Sequence, residues 1–433
     1  MQKLSERQAL AKTVKQLGIS DTDALRLAQR LVYETVRRQN FINRFINKVI
    51  KPKAISEFDL GVQAFLRLYV YQTRIAKNWV EVDFREAENI AGLARSILGW
   101  KTLRKVELFL GFLLTEKPRV VFDGISDEEK IGLLTYTPTW FVSYCFKLFG
   151  RQEAVPLLEG LMQSPPTYIR LNTLKAAESE ILEKLAEDDV TVEKVDGLRY
   201  AYKIVNAKHA LAVTDSFRKG LFYVQDKASC YAAEVADPKP EMTILDVCAA
   251  PGAKTTYLAQ LMQNRGTIYS VDFSRRRMHV WRREVAKMDV KIAEPIIANA
   301  RRLLPVTVEA DVVVLDPPCT STGAFGKSPS AKWRLTPHSI ENMAEIQWQM
   351  INSCADFVKP EGTLVYSTCS VTVEENEMII ERFLKWHREF TLVETAPKIG
   401  LPDLRGFDKC QRLYPHKHKC NGFFIAKLQK ETD

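Results

Sequence analysis

The sequence is poor in cysteine and has no long apolar runs. Eight cysteines among 433 residues are too few for a disulfide scaffold, and no two of them form a CxxC pair. No apolar run approaches the roughly 20 residues that cross a bilayer, and the first residues, MQKLSERQAL, lack the apolar segment of a secretory signal. We therefore expect a cytoplasmic protein with no membrane association, whose thiols stay reduced and free for chemistry.

Histidine is also scarce. The chain has six, so few imidazole bases are available for acid–base chemistry. The C-terminal group with the residue types of a zinc site comprises Cys410, His416, His418 and Cys420. Its spacing fits no common zinc-finger pattern, so we expect no bound metal. We also expect His338, which follows a proline-rich motif described below, to lie outside the catalytic set.

Acidic residues are outnumbered by basic ones. Lysine and arginine total 62 against 53 aspartates and glutamates, a net charge of +9, while apolar residues make up 46% of the chain and charged residues 27%. This composition is ordinary for globular proteins and excludes wholesale disorder. The basic excess favours a polyanionic partner, although a merely basic globular protein would have the same balance.

Two kinds of basic segment are candidates for contact with such a partner. Arginines at 275–277, 282–283 and 301–302 either follow nucleic-acid phosphates or form a solvated face. At 332–334 a tryptophan stands between a lysine and an arginine. An aromatic ring between cations can stack on an unpaired base, so we favour this segment for RNA contact. The alternative is a buried packing tryptophan.

The residue pattern divides the chain into three regions. Residues 1–150 predict an all-helical domain, because apolar residues repeat at helical spacing, as at Phe41 and Phe45, and few residues favour strands. Residues 151–225 mix short β-like runs with one helix and predict a small α+β subdomain. Residues 226–433 alternate apolar runs with helical segments, and they form the third region.

The third region predicts an α/β fold with a doubly wound parallel sheet. The predicted strands cover 244–247, 267–272, 295–298, 311–315 and 363–367. Strands that alternate with helices form parallel sheets covered on both faces. Thr372 and Glu375 have the spacing of a capping box that opens the helix after the last of these strands. We expect the C-terminal YPH and GFF segments to return to this sheet as strands.

The loop after the first of these strands, at 248–254, has the sequence CAAPGAK. Small residues that lead into a helix N-terminus let a ligand approach the backbone closely. The loop is neither a GxxxxGK[ST] phosphate loop nor a GxGxxG fingerprint, and an ordinary turn is the alternative. The second strand ends at Asp272, and an acidic residue about 20 positions after such a loop can bind both ribose hydroxyls. Together the two features favour an adenosyl ligand.

Two further strand ends carry cysteine. The fourth strand leads into DPPC, which ends at Cys319, and the fifth leads into STCS, which contains Cys369. The two thiols are 50 residues apart in sequence, but adjacent strand ends would bring them together at one edge of the sheet. A rigid turn with an incidental cysteine is the alternative for either motif alone. No such setting surrounds Cys145, Cys230, Cys354, Cys410 or Cys420.

These motifs resemble those of the RsmB/Sun family of RNA cytosine-5 methyltransferases. The resemblance is carried by CAAPGAKT, DPPCTSTG with KW following, YSTCSVTVEENE, RLNTL, VQDKAS and the terminal YPHKH with GFFI, and it covers about 165–430. It implies a Rossmann-like S-adenosylmethionine-dependent methyltransferase sheet, preceded by a small α+β RNA-binding subdomain. Residues 1–150 are similar, more loosely, to the NusB-like RNA-binding helical domain that some members carry.

The resemblance also implies which residues bind S-adenosylmethionine. They are Cys248, Ala249, Ala250, Pro251, Gly252, Ala253, Lys254, Asp272, Asn299 and Asp316. Asn299 stands where many members have aspartate, so it can still form hydrogen bonds but carries no charge. Ala253 replaces a more usual glycine, and DPPC replaces the commoner DAPC.

Four residues are implied as catalytic. Cys369 is the nucleophile that adds to carbon 6 of cytosine, which makes carbon 5 able to attack the sulfonium methyl group. Asp316 hydrogen-bonds or protonates nitrogen 3, and Cys319 assists proton loss from carbon 5 and release of the enzyme. Lys254 lies near the base and stabilises the thiolate.

Other functions stay open at this point. An exocyclic-amino methyltransferase also uses an acidic residue, prolines and an aromatic residue, but it needs neither thiol. A non-catalytic RNA-binding scaffold would have no physical need for both thiols. For the substrate, the NusB-like region favours ribosomal RNA over transfer RNA by analogy alone. We expect a monomer.

Overall fold

The structure is a computed structural model that describes residues 5–80, 82–302 and 304–432. The chain forms two compact units. The first comprises Met1–Gln163 together with Phe325–Arg334, and the second comprises Ser164–Ala324 and Leu335–Asp433. None of the described helices is both long and apolar enough to cross a membrane.

The first unit is built from helices, and no strand occurs among its described residues. Its helices up to Gln163 are α1 (Glu6–Leu17), α2 (Thr22–Arg37), α3 (Gln39–Val49), α4 (Leu60–Val70), α5 (Phe84–Leu98), α6 (Trp100–Leu103), α7 (Glu107–Thr115), α8 (Asp127–Leu134) and α9 (Thr139–Met162). The apolar side of α3 is buried at Phe41 and Phe45, as its periodicity predicts. Helix α9 is kinked at Gly150, whose φ is 72°. The similarity of this region to NusB-like domains stays a prediction.

The Phe325–Arg334 segment corrects one prediction. Lys332 is fully buried, and its Nζ lies 2.9 Å from Met162 Sδ. Trp333 donates a hydrogen bond from Nε1 to the carbonyl of Val36 at 2.7 Å. Burial, with the nearby Arg37 guanidinium, holds the pKa of Lys332 well below its usual range. The prediction of RNA contact is therefore wrong for Lys332, whose side chain packs inside the helical unit, while stacking by the half-buried Trp333 stays a prediction.

The second unit begins with a small antiparallel sheet. Its strands are β1 (Tyr168–Leu171), β2 (Val190–Lys194), β3 (Ala201–Ala207) and β4 (Phe222–Val224), and its helices are α10 (Glu178–Glu187), α11 (Asp215–Arg218) and α12 (Lys227–Ala236). The strand order is β2-β3-β1-β4. The mixture of short strands and a helix after residue 165 is confirmed. The predicted three-way division of the chain, at 150 and 225, stays a prediction.

The larger sheet of the second unit holds the predicted α/β core. Its strands are β5 (Thr243–Val247), β6 (Thr267–Asp272), β7 (Ala293–Ile297), β8 (Ala310–Leu315), β9 (Val358–Thr368), β10 (Phe390–Val393), β11 (Gln411–Leu413) and β12 (Phe423–Lys430). The remaining helices are α13 (Ala253–Leu261), α14 (Arg275–Lys287), α15 (Ala331–Arg334, part of the first unit), α16 (Pro337–Ala355), α17 (Glu377–Trp386) and α18 (Pro415–His418).

The order of the strands determines where the site lies. The path through the sheet is β10-β12-β9-β8-β5-β6-β7, with β11 paired to β12. Strands β9, β8, β5, β6 and β7 are mutually parallel, while β12 runs antiparallel to β9. The chain therefore runs from β5 to one side of the sheet and returns at β8 on the other. The carboxyl ends of β5 and β8 flank this switch point, the usual ligand site of such sheets.

Alternating side chains of the central strands explain why this sheet forms. Ile244 packs in the core on one face, while Leu245 and Val247 pack in the core on the other. Strands buried on both faces are mostly apolar, as β5 and β8 are apart from Thr243, Asp246 and Asp311. The predicted parallel sheet is confirmed, and the C-terminal GFF segment returns to it in β12. The prediction of a strand at the YPH segment is wrong, because Pro415–His418 forms α18 directly after β11 ends at Leu413.

The predicted capping box at Thr372 and Glu375 is wrong. Helix α17 begins at Glu377, and its N-cap residue, Asn376, makes no side-chain capping hydrogen bond. Thr372 Oγ1 does donate to Glu375 Oε2 at 2.7 Å, but the carboxylate turns away from the helix toward residues distant in sequence. The hydrogen bond from Thr320 N to Glu375 has therefore replaced the capping hydrogen bond that the local sequence predicts.

Candidate active site

The loop between β5 and α13 is compact and is held by backbone hydrogen bonds. Ala249 and Ala250 are buried, while Pro251 is exposed and Ala253 is half-buried. Ala249 N donates to the carbonyl of Val271 on β6, at 3.0 Å. These contacts fix the loop across the first two parallel strands while leaving only small side chains on it.

Two residues of this loop have left-handed backbone geometry. Gly252, the N-cap residue of α13, has φ 114°, and a Cβ added there would lie 3.2 Å from Trp281 Cδ1. Glycine is therefore favoured at that position by both conformation and space. Cys248 has φ 66°, and burial raises the pKa of its thiol. The Cys248 thiol is therefore suited to packing in the loop rather than to nucleophilic attack.

Asp272 is buried at the end of β6, at the same edge of the sheet. Its Oδ1 accepts a hydrogen bond from Ser274 N at 2.9 Å, and Arg277 Nη1 lies 3.1 Å from its Oδ2. Arg277 also donates to the carbonyl of Ala250, so it joins this carboxylate to the glycine loop. The Oδ2 atom has no hydrogen-bonding partner of suitable angle among the described residues. A ribose hydroxyl would satisfy it.

Asn299 follows β7 and is exposed. Its Oδ1 accepts a hydrogen bond from Arg301 N at 3.1 Å, within its own turn. The side chain therefore lies just beyond the carboxyl end of a parallel strand, with its amide oxygen engaged within its own turn. Its expected contact with adenine stays a prediction.

Lys254, which is buried, and Asp316, which is half-buried, form an ion pair across the switch point. Lys254 Nζ lies 2.6 Å from Asp316 Oδ2, so the start of α13 meets the first residue after β8. Burial alone would lower the pKa of Lys254, but the Asp316 carboxylate outweighs it and raises the pKa above its usual value. Asp316 Oδ1 is 3.5 Å from Ser367 Oγ on β9.

Cys319 and Cys369 are brought together, as the adjacent strand ends predict. Their Sγ atoms are 3.3 Å apart, and neither takes part in a disulfide. Ser321 Oγ lies 3.4 Å from Cys369 Sγ and 3.8 Å from Cys319 Sγ. The structure thus holds two thiols and a hydroxyl at the edge of the sheet, beyond β8 and β9.

The two thiols are electrostatically unequal. A hydrogen bond from Cys319 lowers the pKa of Cys369, to which Ser321 and the Lys254 ammonium also contribute, against the opposing effect of burial. The same hydrogen bond, together with burial, raises the pKa of Cys319 well above its usual range. The pair therefore favours a thiolate at Cys369 and a thiol at Cys319, which suits Cys369 to nucleophilic attack.

Sequence reasoning missed several residues that support this arrangement. They are Ser321, Arg277, Ser367 and Glu375, each of which contacts a predicted site residue or the loop that carries one. Ser321 and Glu375 lie in the DPPCTSTG and YSTCSVTVEENE motifs, so their positions were visible. Their roles were not, because each acts on a residue about 50 positions away. Among the described residues, no group of three or more histidines, cysteines and carboxylates could hold a metal.

The fold and the site together define a class. A parallel sheet with a switch point between β5 and β8, a small-residue loop opening α13 and an acidic residue ending β6 characterise S-adenosylmethionine-dependent methyltransferases.

Comparison with known protein families narrows this class. Residues 233–429 match the family described as 16S rRNA methyltransferase RsmB/F, and residues 137–209 match the ferredoxin-like domain of RsmF/B-like methyltransferases. The chain belongs to the RsmB/F methyltransferase family.

Individual relatives agree with the family assignment. The chain is 31% identical over 422 residues to the "Probable ribosomal RNA small subunit methyltransferase B" of Synechocystis sp., covering 94% of this chain and 91% of that protein. It is 38% identical over 224 residues to the tRNA (cytosine(72)-C(5))-methyltransferase of Pyrococcus horikoshii, covering 52% of this chain and 56% of that protein. The crystal structure of PH0851 matches with a TM-score of 0.84 and 30% identity, covering 97% of this chain and 93% of that one.

Proposed function

We propose that this protein methylates carbon 5 of a cytosine in ribosomal RNA, through a covalent bond between Cys369 and the base. The observation that carries the proposal is the 3.3 Å separation of Cys319 Sγ and Cys369 Sγ beside the Lys254–Asp316 ion pair. Methylation of an amino group needs no thiol, because nitrogen already has a lone pair. Carbon 5 of cytosine is a poor nucleophile and does need activation.

The residues at the switch point fit S-adenosylmethionine. Asp272 offers a buried carboxylate with an oxygen lacking a well-angled donor, which suits the ribose diol. The loop at 248–253 carries small side chains, Asp316 follows the adjacent strand β8, and Asn299 follows β7, two strands away on the other side of β5. When bound, S-adenosylmethionine supplies the electrophilic methyl group. Arg277, which bridges Ala250 and Asp272, must then share or release that carboxylate.

Cys369 begins the reaction. Its thiolate adds to carbon 6 of the base, the S–C6 bond forms, and the electrons of the C5=C6 double bond move toward carbon 5, which then takes the methyl group. Lys254 contributes positive charge near the thiolate. Because Lys254 donates a hydrogen bond to Asp316 at 2.6 Å, a proton passed from the ammonium to the carboxylate can go on to nitrogen 3.

Cys319 completes the reaction. While Cys369 is a thiolate, its charge and hydrogen bond keep the proton on Cys319. That influence ends once the Cys369 sulfur is bound to carbon 6, so Cys319 can lose its proton to water and then accept the proton from carbon 5. The C5=C6 double bond re-forms, the S–C6 bond breaks, nitrogen 3 returns its proton to Asp316, and Cys369 leaves as a thiolate. Cys319 and Cys369 thus have separate roles in release and attack.

Ribosomal RNA is the substrate class that the comparisons favour. The Synechocystis relative, whose name specifies small-subunit ribosomal RNA, matches 94% of this chain, whereas the relative named for transfer RNA matches 52%. We propose that the helical first unit binds RNA, and that the protein works as a monomer in the cytoplasm. One chain supplies both thiols and the Lys254–Asp316 pair, so no second copy is needed.

The test is methylation of defined RNAs followed by analysis of the modified nucleosides. The purified protein is incubated with methyl-labelled S-adenosylmethionine and either small-subunit ribosomal RNA transcripts or a transfer RNA pool. We expect 5-methylcytidine in the ribosomal RNA. Label confined to transfer RNA would overturn the substrate class, and N4-methylcytidine would overturn the reaction. Absence of label from both RNAs, with S-adenosylmethionine bound normally, would contradict the enzymatic proposal for these substrates.

A further inference from the structure

One fully buried carboxylate joins the loops that carry the two thiols. Glu375 Oε1 accepts hydrogen bonds from Thr320 N at 2.8 Å and from Gln347 Nε2 at 3.0 Å. Its Oε2 accepts from Thr320 Oγ1, from Ser370 Oγ at 2.6 Å and from Thr372 Oγ1 at 2.7 Å. The five donors come from three separate parts of the chain.

The positions of these donors relate the carboxylate to both thiols. Thr320 directly follows Cys319, and Ser370 directly follows Cys369. Each thiol is therefore one residue away from a group that Glu375 holds. The Glu375 carbonyl is itself fixed, because it accepts a hydrogen bond from Tyr366 Oη on β9 at 2.6 Å. No other described side chain is hydrogen-bonded to the residues that directly follow both cysteines.

From this bridge we propose that Glu375 is a positioning residue that sets the spacing of Cys319 and Cys369 for attack on the base and for release. The inference deepens the proposed covalent mechanism and rests on it. Glu375 touches neither the base nor the methyl donor; it acts through Thr320 and Ser370. Since misplacing a reacting atom by about 1 Å can reduce a rate about 100-fold, a bridge of this kind matters for catalysis.

The charge of Glu375 has a second effect that shape alone would not have. Among the described residues it has no salt-bridge partner, so its hydrogen bonds stabilise the charge. The pKa of Cys319 is raised first by its hydrogen bond to Cys369 and by burial, and the Glu375 carboxylate adds to that rise. Neutralising the carboxylate should therefore lower the pKa of Cys319 and shift the pH dependence of release.

The variants separate charge from shape. Glu375→Gln keeps the volume and one acceptor oxygen for Thr320 N and Gln347, and the neighbouring hydroxyls can rotate to accept from its amide. Ser370→Ala removes one donor and leaves the carboxylate in place. Glu234→Gln is the matched control: Glu234 is also a buried carboxylate of the second unit, but it accepts from Arg199 and Tyr257, outside both cysteine loops.

The experiment measures the rate of covalent adduct formation with 5-fluorocytosine-containing ribosomal RNA, and turnover on ordinary RNA across pH. For Glu375→Gln we expect adduct formation to slow by about 10- to 100-fold, with KM for S-adenosylmethionine within about twofold of the wild type. In the pH profile of turnover, the part that depends on release through Cys319 should move to lower pH in Glu375→Gln. We expect Ser370→Ala to slow adduct formation by about threefold to tenfold and Glu234→Gln to retain the wild-type rate and pH profile.

The outcomes distinguish this proposal from the one it rests on. If the wild type forms no adduct while methylating RNA, the covalent mechanism fails and Glu375 has no thiol pair to position. If the wild type forms the adduct and Glu375→Gln matches it in rate and pH profile, the positioning role is wrong. Equal slowing in Glu375→Gln and Glu234→Gln would also contradict it, because that would indicate a general loss of structure. Should Glu375→Gln fold poorly, a wild-type rate in Ser370→Ala decides against the bridge.

Discussion

The cofactor side and the base side of the sheet edge are built differently. The loop at 248–253 consists of small residues held by backbone hydrogen bonds, such as the one from Ala249 N to β6. The loops after β8 and β9 are instead held by buried polar side chains, with Glu375 accepting five hydrogen bonds and Arg412 paired with Glu377. A loop that receives a ligand on its backbone must stay small, whereas loops that aim reactive side chains need side-chain support.

The difference implies that substitutions on the two sides should have different effects. Loss of a side chain on the cofactor side should weaken the binding of S-adenosylmethionine. It should leave the loop folded, because the loop keeps its backbone contacts. Loss of a buried polar group on the base side should reduce stability or the chemical rate, because its partners are left unsatisfied. Four experiments test this contrast.

The largest effect is expected at Arg412. Its guanidinium, fully buried, pairs with Glu377 and donates to the carbonyl of Val371 at 2.9 Å. Arg412→Met leaves the Glu377 charge buried without this partner, so urea denaturation should show a loss of about 3–5 kcal/mol in the free energy of unfolding. Arg405→Met, which breaks a more exposed pair with Glu381, should cost about 0–1 kcal/mol. Equal losses of unfolding free energy in both variants would contradict the claim that buried polar side chains support the base side.

The next effect is expected at Lys254. Lys254→Met removes the ammonium 2.6 Å from Asp316 and leaves that carboxylate without its partner. We expect adduct formation on 5-fluorocytosine RNA to slow about 100-fold, since a charge placed at the reacting groups is worth a few kcal/mol. Lys239→Met, in a more exposed pair with Asp237, is the control. A Lys254→Met rate within a factor of about three of the wild type would rule out this role.

A smaller effect is expected on the cofactor side at Asp272. Asp272→Asn keeps the size of the side chain but loses the charge that accepts ribose hydroxyls. Calorimetry should show about tenfold weaker binding of S-adenosylmethionine, in line with the value of one charged hydrogen bond. Asp289→Asn, at a more exposed position paired with Lys291, should bind normally. If affinity is unchanged while the fold is destabilised, Asp272 supports the loop rather than the ligand.

The smallest effect concerns the pH at which the thiols react. Cys369 has a lowered pKa because Cys319 donates to it, so its alkylation by iodoacetamide should rise at lower pH than that of an ordinary thiol. Cys319→Ala removes the donor, so the alkylation profile of Cys369 should move to higher pH. Reciprocally, Cys369→Ala should move the profile of Cys319 to lower pH. Unmoved profiles in both variants would show that the two thiols are not coupled.

Much of the second unit could be predicted from sequence, because its central parallel strands are mostly apolar and end in turn residues. The prediction of 267–272 matches β6, and the helix predicted from 275 matches the start of α14. Strand β9 begins at Val358, five residues earlier than predicted, since Val358 pairs with Ala310 on β8. That pairing depends on a residue 48 positions away, which local patterns do not contain.

The polar network of the base side could not be predicted in the same way. Thr372 and Glu375 have the local signature of a capping box, but the carboxylate accepts from Thr320, 55 positions earlier. Lys332 and Trp333 have the signature of an exposed nucleic-acid contact, yet Lys332 is fully buried. In both cases a polar side chain took a distant partner in the folded chain. The proximity of the two cysteines was predictable only because adjacent parallel strands place their ends together.

The most direct test of the central claim compares Cys319→Ala with Cys369→Ala. Each variant is incubated with S-adenosylmethionine and ribosomal RNA, and protein–RNA adducts are sought on a denaturing gel. If Cys369 attacks and Cys319 assists release, Cys319→Ala accumulates a stable adduct, Cys369→Ala forms none, and sequencing of the trapped RNA identifies the target cytosine. A stable adduct in Cys369→Ala alone would reverse the two roles. Absence of adduct from both variants, while the wild type still methylates RNA, would contradict the covalent mechanism itself.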